Sequence, residues 1–146
     1  MIIGPQTLIL LDTSVVLHLA RNDLTGKSIE SQYSLTSRRE RPLISSVTEG
    51  ELLALAYSRQ WGQRKIDALH EMLGNFVRVD AGLPEIVEWY AKLFAEARIR
   101  GASRGQNDLW IAATAKAVGA VLLTCDKDFD WLHPDHVHVV RVENAH

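Results

Sequence analysis

Four carboxylates stand at positions where a small α/β protein exposes reactive groups. Asp12 follows the apolar run 8–11, and Asp126 follows shortly after the apolar run 120–123. Asp108 lies at the start of a predicted helix, and Glu51 lies one turn into another. Strand ends and helix N-termini line the ligand-binding edge of open α/β sheets. We therefore expect these four acids to meet at one site.

Converging carboxylates repel one another, so either some stay protonated or a cation joins them. A ligand set made only of oxygen atoms favours a hard ion, Mg²⁺ or Mn²⁺. Such an ion can activate water and polarise a phosphate, which is the chemistry of phosphodiester hydrolysis. Hydroxyls beside the acids are expected to support the site by orienting water or a carboxylate: Thr13, Ser14, Ser46 and Thr124.

The elements that must position these acids alternate along the chain. Short apolar runs predict strands at 7–11, 42–45, 76–79, 120–123 and 137–142, and helical patterns lie between most of them. The pattern predicts a three-layer α/β domain with a mainly parallel central sheet and helices on both faces. Residues 21–26 are interpreted as a loop, and 29–38 as a weakly periodic helix.

Helix boundaries carry local signals. Ser46 and Glu49 match a capping box, with Ser46 as the N-cap and Glu49 at the third helical position. Pro84 is suited to the first turn of a helix, and Gly119 is suited to the position after a helix end. The helix that starts at about residue 107 is therefore expected to begin beside Asp108 and to stop at Gly119, just before a buried strand.

Size and composition limit the class of protein. The 146 residues are 47% hydrophobic, as expected for a single domain spanning 1–146. A net charge of −2 means that nucleic-acid binding must depend on a local basic patch. One cysteine, Cys125, excludes an internal disulfide. With no apolar stretch of membrane-spanning length and no leader pattern, we expect a cytoplasmic protein.

Four motifs in order carry a family resemblance. They are LLDTSV at 10–15, SSVTEGEL at 45–52, NDLWIAA at 107–113 and LTCDKDF at 123–129. With these motifs, the chain resembles the PIN-domain ribonucleases of the VapC toxin type over essentially its whole length. Each motif is weak alone, and the four in order are fairly specific.

The resemblance implies a PIN-like fold and a set of functional residues. The metal-binding acids carried over are Asp12, Glu51, Asp108 and Asp126, with Asp128 as a less constant fifth catalytic acid. The family's Glu-Leu pair selects Glu51 over the nearby Glu49. The resemblance further implies Mg²⁺-dependent RNA endonuclease activity, a cognate VapB-type antitoxin as partner, and a homodimer.

Basic residues offer a surface for RNA phosphate. Arg98, Arg100 and Arg104 lead into Asp108 and are predicted to bind RNA, although arginine is also favoured at a helix end by the helix dipole. A second set of arginines, at positions 38, 39 and 41, is likewise interpreted either as an RNA-phosphate contact or as a solvated charged segment. Trp110 is interpreted as a core residue rather than a base-stacking group.

Two other classes of function use the same residues. One is a PIN-like RNA-binding or assembly module without turnover, against which the complete acid set argues. The other is a metal-dependent phosphohydrolase acting on small esters, which would usually need a nucleophilic Asp and a separate general acid. A zinc site at His133, His136 and His138 lacks a fourth ligand, which favours a surface cluster.

Overall fold

Five short strands form one parallel sheet in the computed structural model, which describes residues 3–101 and 105–145. The order across the sheet is β3-β2-β1-β4-β5, and every neighbouring pair is parallel. The strands are β1 (Ile9–Leu11), β2 (Leu43–Ser45), β3 (Val77–Val79), β4 (Val121–Thr124) and β5 (Val139–Arg141). The predicted parallel sheet is confirmed, with strand ends shifted by up to two residues.

The strand order reverses next to the central strand. The chain runs from β1 outward through β2 to β3, then crosses to β4 on the other side of β1. Parallel pairing of Leu11 with Leu123 brings the carboxyl ends of β1 and β4 side by side. In open α/β sheets this reversal leaves a crevice at the carboxyl ends of the two strands. Asp12 and Asp126 follow those two ends.

Helices among the described residues cover both faces of the sheet. They are α1 (Thr13–Arg21), α2 (Leu24–Tyr33), α3 (Ser46–Ser58), α4 (Gln63–Leu73), α5 (Pro84–Ile99) and α6 (Gln106–Val118), followed by a 3-10 helix at Lys127–Leu132. Helices α5 and α6 pack on one face, and α1 to α4 contribute to the core on the other. No helix among these is long and apolar enough to cross a membrane.

The alternation of side chains along β1 explains why the strand is apolar throughout. Leu10 belongs to the core on the α5–α6 side, whereas Ile9 and Leu11 belong to the core on the other side. Leu122 and Leu123 divide between the two cores in the same way. A strand buried on both faces needs apolar residues at every position, which is why the runs are continuous.

The α2 region corrects one prediction. The predicted loop at 21–26 contains the start of α2, and the helix ends at Tyr33 rather than Arg38. Asp23 caps it, since its carboxylate accepts the backbone N–H of Gly26 at 2.8 Å. Gly26 lies so close to α1 that a Cβ there would approach the His18 carbonyl oxygen to 2.2 Å. Gly26 therefore allows α2 to pack closely against α1, and it does not form a turn.

The predicted capping box at α3 is wrong by one residue. Ser45, the last residue of β2, is the N-cap and accepts the backbone N–H of Val47 at 3.1 Å. Ser46 is instead the first helical residue. Glu49 lies 3.2 Å from the Nε of Arg78 on neighbouring β3 and forms an ion pair with it. Because β2 runs directly into α3, the strand supplies the cap.

Candidate active site

Asp12 lies at the junction of β1 and α1, almost completely buried at 4% exposure. Its Oδ2 accepts two hydroxyl hydrogen bonds, from Ser14 and Thr124, each at 2.7 Å. Burial raises the pKa of Asp12, and the two hydroxyl bonds oppose part of that rise. The carboxylate is therefore held in one orientation and would be favoured in its charged form by a nearby cation.

Thr124 connects the ends of β1 and β4. Its hydroxyl donates to Asp12 and accepts the backbone N–H of Asp126 at 2.9 Å. The next turn is closed by Asp126 itself, whose Oδ1 accepts the backbone N–H of Asp128 at 2.9 Å. Ser14 has a similar double role, since its hydroxyl also accepts the backbone N–H of Cys125 at 3.1 Å. These bonds fix the acids after β4 relative to Asp12.

Asp108 lies in the first turn of α6 and faces the other acids. Asp108, Asp126 and Asp128 each offer a carboxylate oxygen, and these oxygens all lie within 4.8 Å of one another. Burial, followed by the charges of Asp12, Asp126, Glu51 and Asp128, raises the pKa of Asp108 to about 6. The structure therefore brings three of the five predicted acids into one group, while Asp12 and Glu51 lie outside that group and act on Asp108 through their charges. A donor set of carboxylate oxygens fits a hard divalent cation.

Glu51 is held on both of its oxygens. The Thr13 hydroxyl donates to Oε1 at 2.7 Å, and the Asn107 side-chain amide donates to Oε2 at 3.3 Å. Asn107 comes from α6, directly before Asp108, so this bond ties the mid-chain acid to the late pair. Thr13 also lies 3.0 Å from the hydroxyl of Thr48. Three helices thus converge on one carboxylate.

The hydroxyls predicted to support the site divide into two groups. Thr13, Ser14 and Thr124 each donate to an acid. Ser46 does not: its Oγ accepts the backbone N–H of Ala81 at 3.0 Å and no hydrogen bond joins it to an acid within the ranges described. The one-residue shift of the α3 cap explains this, because Ser46 points toward the loop after β3.

Two residues around Glu51 were missed from the sequence: Asn107, which donates to it, and Thr48, which lies beside the Thr13 hydroxyl. Thr48 precedes Glu51 by one helical turn, so both lie on the same side of α3. Asn107 stands beside Asp108 in the NDLWIAA motif. The helical spacing of Thr48 was a usable signal. For Asn107 the sequence carried none beyond its position next to an acid.

The predicted RNA-binding arginines lie at and beyond the end of α5. Arg98 is exposed and forms no salt bridge with any residue at 3–101 or 105–145. Arg100 donates its Nε to Glu96 at 2.9 Å and lies over the ring of Trp131. Arg104 falls outside the described residues.

Other side chains weighed from the sequence have structural roles. The Arg38 guanidinium donates to the carbonyl oxygens of Gly4 and Thr7, at 2.9 and 2.8 Å, which fastens the N-terminal segment. Trp110 is partly buried and stacks on Tyr90, with ring centroids 3.9 Å apart. Burial raises the pKa of the Cys125 thiol, which favours the thiol over the nucleophilic thiolate.

Comparison with known proteins identifies the family to which the chain belongs. The family model described as "PIN domain" matches residues 9–132. The chain belongs to the PIN domain family. The match covers the sheet from β1 through β4 and all five acids.

Comparison with related proteins indicates which type of PIN domain this chain is. Ribonuclease VapC1 of Haemophilus influenzae strain R2866 is 32% identical over 115 residues, which are 79% of this chain and 84% of the relative. The solved structure of VapBC-1 from nontypeable H. influenzae is 26% identical, with a TM-score of 0.78 over 92% of this chain and 98% of the other. The domain is of the VapC type, as its motifs predicted.

A third comparison supports the fold alone. VapBC2 from Rickettsia felis, solved with a DNA fragment from its promoter, has a TM-score of 0.81 at 20% identity, covering 94% of this chain and all of the other. At this identity the PIN fold is retained while most side chains differ. The similarity therefore extends to the fold and not to the local contacts that hold the acids.

Proposed function

We propose that this PIN domain is a Mg²⁺-dependent RNA endonuclease and the toxin of a VapBC-type pair. The observation that carries the proposal is the group of neighbouring carboxylates Asp108, Asp126 and Asp128, whose central member Asp108 also experiences the charges of Asp12 and Glu51. The similarity to ribonuclease VapC1 supports RNA as the substrate. The phosphodiester bond would be hydrolysed by attack of water.

The acids would divide the work of holding the cation. Asp108 and Asp126 belong both to the set inferred from the motifs and to the group of neighbouring oxygens. Asp12 and Glu51 complete the set directly or through water, and Asp128 adds a fifth carboxylate. When bound, Mg²⁺ (or Mn²⁺) lowers the pKa of water and polarises the phosphate.

The chain's own residues would orient the reacting groups. Ser14 and Thr124 hold Asp12, and Thr13 and Asn107 hold Glu51, so neither carboxylate has to reorganise when substrate binds. We further propose that the exposed Arg98, together with Arg100 and Arg104, binds RNA phosphates and offsets the repulsion between RNA and the acids.

Cleavage assays test the proposal. Total cellular RNA is incubated with purified protein, with Mg²⁺ or with chelator, and a generic phosphate ester serves as a second substrate. Wild type should produce discrete RNA fragments that require Mg²⁺. Asp12→Asn and Glu51→Gln should each lower the cleavage rate by roughly 100-fold or more. Replacing even a residue that only hydrogen-bonds to a metal ligand typically lowers metal affinity or activity by 10–100-fold, and these two residues are proposed as ligands. The matched control is Glu49→Gln, the same change in the same helix at an acid that pairs with Arg78.

Specific outcomes would contradict the assignment. Folded wild-type protein, free of co-purified inhibitor, that leaves RNA intact would favour a binding module. Hydrolysis of the ester without RNA cleavage would favour a small-molecule phosphohydrolase. Equal losses in Glu51→Gln and Glu49→Gln would mean that charge on α3, rather than the site, supports activity.

A VapB-type antitoxin is the partner that we propose, because solved structures of related proteins are VapBC complexes. A groove of about 390 Å³ between α1 and α4 has an apolar lining and a basic rim, which suits an amphipathic acidic segment of the antitoxin. Its apolar side includes Trp61, Leu69 and Met72, and its rim includes Arg21, Arg59 and Lys65.

Binding measurements test this partner. Trp61→Ala should weaken antitoxin binding by about 10-fold or more, since buried aromatic anchors carry most interface energy. Tyr57→Ala, at an exposed aromatic outside the groove, is the control.

We also propose a homodimer acting in the cytoplasm, where cellular RNA is found. Light scattering should then give twice the chain mass of 16.4 kDa.

A further inference from the structure

A chain of two hydroxyl groups leads from the protein interior to Glu51. The hydroxyl of Thr13 donates to Glu51 Oε1 at 2.7 Å. The hydroxyl of Thr48 lies 3.0 Å from that of Thr13, close enough for a hydrogen bond in either direction. Thr48 itself is completely buried, and Thr13 is partly buried. The distance alone does not determine which of the two hydroxyls is the donor.

Counting protons settles the direction. A threonine hydroxyl has one proton to donate and two lone pairs that accept. The proton of Thr13 is used on the Glu51 carboxylate, which as an anion only accepts. Thr13 must therefore accept from Thr48, and the order of donation is Thr48 to Thr13 to Glu51. Each hydroxyl donates its single proton toward the carboxylate.

The hydroxyl of Thr48 bonds to a side chain on another helix, whereas many buried helical threonines bond to the backbone of their own helix. A buried threonine within a helix commonly donates to the carbonyl four residues earlier, as Thr114 does to Trp110 at 2.8 Å. Thr48 is the third residue of α3, so the carbonyl four residues earlier belongs to β2. A buried hydroxyl is costly without a hydrogen bond, and the bond that the structure gives Thr48 is to Thr13.

We propose that Thr48 is a positioning residue for the metal site, acting through Thr13 on Glu51. Its donated hydrogen bond fixes the Thr13 rotor so that the Thr13 proton stays on Oε1. The Asn107 amide holds Oε2, so the plane of the carboxylate is set before a cation binds. The inference rests on the proposed function, because it assumes that Glu51 serves a Mg²⁺ site.

Cooperativity gives Thr48 an effect at a distance from the site. The bond from Thr13 to an ionised carboxylate is charge-assisted and therefore strong. A hydroxyl that accepts a hydrogen bond becomes a better donor, so Thr48 strengthens the bond that Thr13 makes. Groups that hold metal ligands in this way typically change metal affinity or activity by 10–100-fold when they are removed.

Calorimetric titration with Mg²⁺, without RNA, tests the proposal. Thr48→Val keeps the shape and removes the hydroxyl, and it should weaken Mg²⁺ binding by roughly 10-fold. Thr48→Ser restores the hydroxyl and should restore affinity to near the wild-type value. Thr114→Val, a matched change at another completely buried helical threonine, should leave the affinity unchanged. Thermal unfolding of each metal-free variant gives the second measurement.

A double-mutant cycle then tests the route through Thr13. In a Thr13→Val background, Thr48→Val should weaken Mg²⁺ binding no further, because the connecting hydroxyl is already absent. A full additional loss there would overturn the relay. So would a Thr48→Val protein with wild-type affinity, or one with lower thermal stability and unchanged affinity.

Failure of this inference is distinguishable from failure of the proposed function. If wild-type protein binds no Mg²⁺ and cuts no RNA, both are overturned. If the wild type binds Mg²⁺ and Thr48→Val binds it equally well, the nuclease proposal stands and the role of Thr48 alone is overturned.

Discussion

Replacement of Asp108 by asparagine should stabilise the metal-free protein. The fold holds this carboxyl among four other acids, and burial together with their charges raises its pKa from 3.8 to about 6. A group whose pKa is higher in the folded chain than in the unfolded chain costs stability when it is ionised in both. The cost is absent below the unfolded pKa and grows as pH rises toward the folded pKa. At neutral pH it is present in full.

The size of the effect follows from the shift. A change from 3.8 to about 6 is 2.2 units. At 1.36 kcal/mol per unit this gives about 3 kcal/mol as an upper limit. Asp108 is partly exposed, and solvent screening reduces the value, so we expect a gain of about 1–3 kcal/mol at pH 7.5. For a domain of this size, that is a rise of roughly 3–9 °C in Tm.

Urea unfolding of wild type and Asp108→Asn in chelator, between pH 4 and 8, measures the prediction. The stability difference should be small near pH 4 and should develop mostly by pH 6. Asp135→Asn removes an exposed acid in the loop before β5 and is the control for net charge. It should show no comparable pH-dependent gain.

Added Mg²⁺ should reverse the order of stability. A ligand that binds the folded state stabilises it by mass action, so wild type should gain and Asp108→Asn should gain little. RNA cleavage by the variant should be lost although the protein is more stable. A destabilised Asp108→Asn protein at pH 7.5, or a stability difference that does not vary with pH, would refute the electrostatic reasoning.

Three further substitutions test separate contacts. Thr124→Val removes the completely buried hydroxyl that holds Asp12, and it should cost about 1–3 kcal/mol of unfolding free energy and slow RNA cleavage. Arg38→Ala removes bonds to N-terminal carbonyls and should cost about 1–3 kcal/mol in urea unfolding without weakening RNA binding, whereas exposed Arg39→Ala should change neither. Gly119→Ala places a side chain at φ +70° and should lower stability by about 1–2 kcal/mol in thermal unfolding, with cleavage per folded molecule unchanged.

Local signals explain what could be predicted of the fold. Continuous apolar runs indicated strands buried on both faces, and the structure confirms them. Pro84 begins α5 and Gly119, with a positive φ, ends α6, as predicted. These features depend on a few neighbouring residues, so the chain carries them in its order. The α3 cap failed because Ser45 and Ser46 are equally good caps in isolation, and the end of β2 decides between them.

The sequence by itself determined which acids this PIN domain offers and on which elements they stand. Only the tertiary structure decided how they are held, because their partners come from distant parts of the chain. Thr124 reaches Asp12 across 112 positions, and Asn107 reaches Glu51 across 56. The parallel pairing of β1 with β4 and the packing of α6 near α3 bring these groups within hydrogen-bond distance. Sequence periodicity reports which face of an element is buried, but it does not report which side chains from other elements meet there.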